Sequence, residues 1–183
     1  MRGRGMVKFL LAVVSAFLVM LAFRALVLTV CTIEGEGLAP QFIAGDRVVI
    51  NRWSYGLRTG EKGGLFDYGR ICRQPIKKGD FIAFEDSLGQ TLICRCTALP
   101  GDTVRLAHGR TPMEVVVPGL ATCADQEYYW VESIGKNNVL GSRQLGFIPE
   151  SNIIGRACLV LYSHDLSAPF WSGYRSNRLL LPK

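Results

Sequence analysis

Histidine is scarce in this 183-residue chain: there are two, His108 and His164. In "AHGR" and "YSHD" each reads as a solvated loop residue rather than a base or a ligand. The six cysteines, at 31, 72, 94, 96, 123 and 158, include no CxxC pair, which argues against a structural zinc site. No glycine-rich phosphate loop, HExxH or GxSxG occurs, and nothing implies a metal or a cofactor. Internal repeats, low-complexity tracts and strongly amphipathic helical windows are also missing. Acidic residues are absent from the first 30 positions, which hold Arg2, Arg4, Lys8 and Arg24. The remainder carries 17 basic against 15 acidic residues, so most of the net charge of +6 lies at the N-terminus. That asymmetry speaks of membrane topology and makes no strong case for nucleic-acid binding.

Hydrophobic residues make up 49% of the chain and charged residues 20%, so disorder is excluded. "FLLAVVSAFLVMLAF", from Phe9 to Phe23, has no charge; Arg24 interrupts it and "ALVLTV" continues to Val30. As a helix, residues 9–30 would reach about 33 Å, enough for a hydrocarbon core of about 30 Å. Arg24 lies near enough to the outer end to snorkel. The run is too long for a cleaved signal and no A-x-A follows it. "LTVC" fits a lipoprotein signal poorly. The expected order is a cytosolic 1–8, a transmembrane helix 9–30 and a domain 31–183 outside the cytoplasmic membrane.

Beyond residue 31, "DRVVINR", "DFIAFED", "TLICRCT", "DTVRLAH", "MEVVVPG", "YYWVES" and "RACLVLY" read as short strands. The fold class is mainly β, an antiparallel domain behind a single N-terminal helix. Residues 56–79, with six glycines, read as a long irregular excursion. Asp46, Asp80 and Asp102 each follow a glycine, which favours turn chemistry over paired carboxylates. Cys94 and Cys96 would share one face of a strand. Buried free thiols and disulfides both remain open for the cysteines. Trp53, Phe170 and Trp171 are candidates for contact with a membrane surface, burial being the alternative for Trp53.

Four segments then appear in a telling order: "GLAPQFIAGDRVVINRWSYG" (37–56), "KGDFIAF" (78–84), "ICRCTALPGD" (93–102) and "SIGKNNVLGSRQLGFIP" (133–149), followed by "ESNIIGRA". Together, behind the apolar segment, they resemble the four boxes of bacterial type I signal peptidase, a membrane-anchored serine endopeptidase. The resemblance implies a signal-peptidase-type β domain and a cleft where substrate lies as an added strand. It also implies a serine nucleophile with a desolvated lysine as base. Here the serine position is Gly37 and the lysine position Cys94. The supporting serine is matched by Val139, the aspartate of the last box by Gly141, and an earlier aspartate by Ile134, while Ser142 and Arg143 remain. Gly35 stands where the family often has another serine.

The residues expected to line the cleft are Ile33, Leu38, Pro40, Ile93 and Arg95, with core packing the alternative for Ile33 and Ile93. Gly45, Asp46, Gly79, Asp80, Leu99, Pro100, Gly101 and Asp102 are framework. Losing the nucleophile of a serine protease costs on the order of 10⁶ in turnover. The expected function is therefore a non-catalytic homologue on the signal-peptide pathway, with the bilayer and exported segments or preproteins, or an active paralogue, as partners. One alternative is an active peptidase with a relocated group such as Cys94 or Ser142. Another is an assembly subunit presenting residues 56–79 or the tail "FWSGYRSNRLLLPK".

Overall fold

The computed structural model describes residues 3–33, 38–39, 41–60, 68–108, 111–133, 141–165, 167–169 and 172–178. Gly35, Gly37, Pro40, Ile134, Val139, Phe170 and Trp171, singled out above, lie outside the described residues.

Helix α1 (Gly3–Val27) carries an exposed side chain at every position from 5 to 21. Among the described residues nothing packs on that stretch. Among the described residues no helix is long and apolar enough to cross a membrane. The helix stops earlier than expected. Leu28–Thr32, given above to the span as far as Val30, is strand β1. It pairs antiparallel with β2 (Asp46–Asn51), Val30 opposite Val49. A β-branched apolar run suits a strand as well as a membrane helix, and a strand partner decides it.

All seven expected strands form. They are β2, β5 (Phe81–Glu85), β6 (Thr91–Ala98), β7 (Thr103–His108), β8 (Thr111–Val116), β9 (Tyr128–Glu132) and β11 (Ile153–Ser163). A seven-stranded antiparallel sheet runs β1-β2-β11-β5-β6-β9-β10, with β10 (Ile148–Pro149) at one edge. Long β11 serves both β2 and β5, with bulges in each pairing that strengthen its twist. Strands β7 and β8 form a separate hairpin.

Residues 56–79 are more ordered than "irregular" implied. They contain the hairpin β3 (Leu57–Thr59) and β4 (Gly69–Ile71). The Arg70 side chain, 1% exposed, donates to the carbonyls of Gly56, Glu150 and Ile153. Arg73 forks onto the Glu150 carboxylate at 3.0 and 2.6 Å. Such bidentate pairing fixes geometry as well as charge.

Both faces of the sheet are packed. On one, Ile82 and Phe84 of β5 and Cys94 and Cys96 of β6 join Tyr55, Ile76, Tyr129, Val131, Ile148 and Ile153. On the other, Phe81 and Ile93 pack against Ile33, Leu38, Phe42, Val48, Ala157 and Val160. The two-residue period of a strand sends neighbours on β5 and β6 to opposite cores.

The three Gly-Asp pairs build one turn three times. Asp46, Asp80 and Asp102 each donate their N–H to the carbonyl three residues back, that of Ile43, Lys77 and Leu99, at 3.0 to 3.2 Å. Each carboxylate in turn accepts the N–H of that same residue. Gly45, Gly79 and Gly101 sit at φ 90°, 93° and 87°, the third-position conformation of a type II turn, which disfavours a side chain. These carboxylates are staples, as the turn reading proposed.

Candidate functional site

The chain leaves β1 at Ile33 and re-enters the sheet at Asp46. Two backbone bonds close the neck of this loop: Ile33 N–H to Asp46 O at 2.8 Å, and Gly45 N–H to Ile33 O at 3.0 Å. Inside it, the N–H groups of Gln41 and Phe42 both donate to Leu38 O at 3.0 Å. That turn drives Leu38 and Phe42 inward. Leu38 is 5% exposed and Ile33 7%, and Phe42 meets Phe81 edge-on at 5.2 Å. Half-buried Ile93 joins them from β6. Three residues expected to line a cleft, Ile33, Leu38 and Ile93, therefore share one apolar cluster.

Arg95 lies two residues along β6 and is exposed. Its guanidinium runs beside Gly79, where an added Cβ would sit 3.5 Å from Nη2. Its register partners are Phe81 and Glu132.

Cys94 points the other way. At 3% exposure it packs with Ile82, Cys96 and Val131, in the core opposite the one holding Leu38. Desolvation pushes its thiol up to about 12. Cys96 is pushed to about 12 as well, mainly by burial and then by Asp80 and Asp102. A thiol at that value is almost wholly protonated at neutral pH and a poor nucleophile. None of the six cysteines is in a disulfide; Cys72 and Cys123 are exposed, Cys31 and Cys158 half-buried.

The last box lies one strand further on. Gly141 precedes the short helix α2 (Ser142–Leu145) in an extended conformation, φ −164°. A Cβ on Gly141 would approach Val131 O to 3.2 Å. Ser142 is 2% exposed and its Oγ accepts the Val131 N–H at 2.9 Å. Because Val131 is the register partner of Cys96, the third and fourth boxes meet through β6 and β9. Arg143 is exposed and pairs with Glu132 at 3.4 Å.

Several contacts were invisible to pattern reading. Tyr55 donates its hydroxyl to Asp80 at 3.0 Å, and burial, then that carboxylate, raises the phenol far above its ordinary value. His164, expected to be solvated, is half-buried and stacks edge-on with Tyr174 at 5.1 Å. The side chain of His108 is outside the described residues. The tail, offered above as an outward surface, turns Arg175 and Arg178 onto residues 41–46.

This arrangement has counterparts among known sequences. The profile of a family described as signal peptidase, peptidase S26, matches residues 6–119. The chain belongs to that family. It is similar to a probable signal peptidase I-2 of Synechocystis, 26% identical over 157 residues that cover 79% of this chain and 67% of that protein. Similarity to a signal peptidase I of Leptolyngbya laminosa is 26% over 162 residues, covering 75% and 70%. A probable signal peptidase I-1 of Synechocystis is 27% identical over 139 residues, covering 68% and 66%. The peptidase S26 match starts within α1 and takes in the neck loop, β5, β6 and the β7–β8 hairpin.

Proposed function

We propose that this chain is a non-catalytic member of the signal peptidase family that holds exported peptide segments without cutting them. One observation carries the reading: Cys94, at the position of the family's base, is a neutral thiol buried in an apolar core. A general base must reach the proton it removes and be unprotonated at working pH. Cys94 meets neither requirement, and Gly37 offers no hydroxyl. The names of the relatives support signal peptides as the substrate class.

The two relocated nucleophiles considered above lack support in the geometry. Cys94 is protonated, and Ser142 has its oxygen engaged by Val131 N–H in a site 2% exposed. We further propose that α1 anchors the protein in the cytoplasmic membrane, N-terminus inside and β domain outside. The exposed Phe9, Leu10, Leu11, Phe17 and Val19, 56–71% accessible, support this.

The test is to incubate the purified full-length protein with a preprotein and follow both the mature product and the complex. Binding with no cleavage is expected. Signal-site cleavage that disappears when this protein is omitted defeats the proposal.

A further inference from the structure

The neck of the cleft loop is gripped by the far end of the chain. After β11, His164 N–H donates to Gly45 O at 3.1 Å, and the chain reverses through Gly173, φ 96°. Tyr174 bridges back to His164 and packs on its ring. The reversal presents two arginines to the loop. Arg178 Nη2 donates to Gln41 O at 2.7 Å and to Asp46 Oδ2 at 3.1 Å, with Nε 3.3 Å from the same oxygen. Arg175 Nη1 donates to Ala44 O at 3.3 Å, and its Nη2 pairs with Asp165 at 3.1 Å.

Residues 41–46 thus offer the tail acceptors: two carbonyls and a carboxylate. Asp46 is fully buried. Its Oδ1 and the buried Gln41 Oε1 accept no hydrogen bond among the described residues. The planar fork of arginine suits such a set better than a lysine ammonium does. A pocket of about 410 Å³ opens along Tyr174–Arg178, so the occupant is flanked by space and not sealed in.

We propose that residues 41–46 form a guanidinium-binding cradle for arginine-bearing peptide segments, occupied in this chain by its own Arg175 and Arg178 as an exchangeable strap. The strap sets the loop because Asp46 is both the cradle carboxylate and a partner in the neck. Its Oδ2 takes Arg178 and the Ile43 N–H, while its carbonyl takes the Ile33 N–H. Releasing the arginines frees the segment that seats Leu38 and Phe42 over Ile93. The proposal rests on the cleft reading only for what the loop covers; the cradle itself is defined by its own contacts.

Hydrogen exchange on the full chain in detergent micelles tests it. The variant Arg175→Ala/Arg178→Ala should speed exchange of the Ile43, Gly45 and Asp46 amides at least tenfold, leaving β5 and β6 amides unchanged. A synthetic peptide of residues 174–178 added in trans should restore protection saturably, and the same peptide with alanine at both arginines should not. Should the double variant fail to fold, Arg178→Lys, which keeps a cation beside Asp46 but not the fork that reaches both Asp46 and Gln41 O, carries the same measurement. Exchange that rises together across the sheet, an unchanged loop, or a peptide without effect each overturns the proposal. None of these readings needs an exported peptide, so failure here is distinguishable from failure of the non-catalytic reading.

Discussion

A thiol enclosed by Ile82, Cys96 and Val131 gives up its proton reluctantly, and the alternation of β6 puts Cys94 there. Iodoacetamide should therefore label Cys72 and Cys123 at pH 8 and spare Cys94 and Cys96, whose thiols are pushed up to about 12. Peptide mass spectrometry after a timed exposure reads this out; prompt labelling of Cys94 contradicts its burial. Restoring the family's lysine is a sharper probe. In Cys94→Lys the folded pKa would fall below the unfolded value of about 10.4, by up to about 3–5 units. The unfolded chain then binds more protons across that window, so stability rises with pH until about 10.4. Denaturant melts should show the variant about 4 kcal/mol less stable than the parent at pH 7, with the gap closing near pH 10. A gap independent of pH would mean that the ammonium escapes to solvent.

Elements that carry their own signal were legible in the sequence. The seven strands alternate or end at Gly, Pro, Asp or Asn, and the Gly-Asp turns close over four residues with every group supplied locally. What stayed hidden depends on distant partners. β1 was absorbed into an apolar run because only pairing with β2 distinguishes it. The hairpin β3–β4 is held by Arg70, whose acceptors lie some 80 residues away. The strap joins residues more than 130 apart. At the site, the boxes revealed which positions to compare, but not that Ile93 and Cys94 serve opposite cores. Substitutions at two positions measure these distant ties. Arg70→Ala strips the Gly56, Glu150 and Ile153 carbonyls of their donor, Arg73 still neutralising the Glu150 carboxylate, and should cost about 1–3 kcal/mol. Arg70→Lys should recover little, since a compact ammonium cannot span the carbonyls that Nη1 and Nη2 reach from two ends of the fork. Gly155→Ala should cost about 1–3 kcal/mol in the same urea melts, because a Cβ at that β11 bulge collides with Asn51 O and lies 2.9 Å from Arg52 Cα.

At the scale of the whole molecule, α1 poses the largest physical demand. A helix that is hydrophobic all round is stable only when something apolar covers it. From 5 to 21 none of the other described residues does so, and Arg2, Arg4 and Lys8 sit at its start without a counter-charge in sequence. At the end of the helix, a backbone bond from Arg52 N–H to Val27 O at 2.9 Å ties it to the sheet. Cutting after Val27 should therefore remove the apolar surface and spare β1. Full-length protein is expected to stay in the membrane pellet through an alkaline carbonate wash and to enter the detergent phase. The chain 28–183 should appear in the soluble fraction with the same strand content by circular dichroism. Retention of the full chain by carbonate-resistant lipid contact, and its loss on truncation, is what an anchor requires. A full-length protein that carbonate strips from the membrane would instead mean that another polypeptide covers α1, and the anchored topology would fall with it.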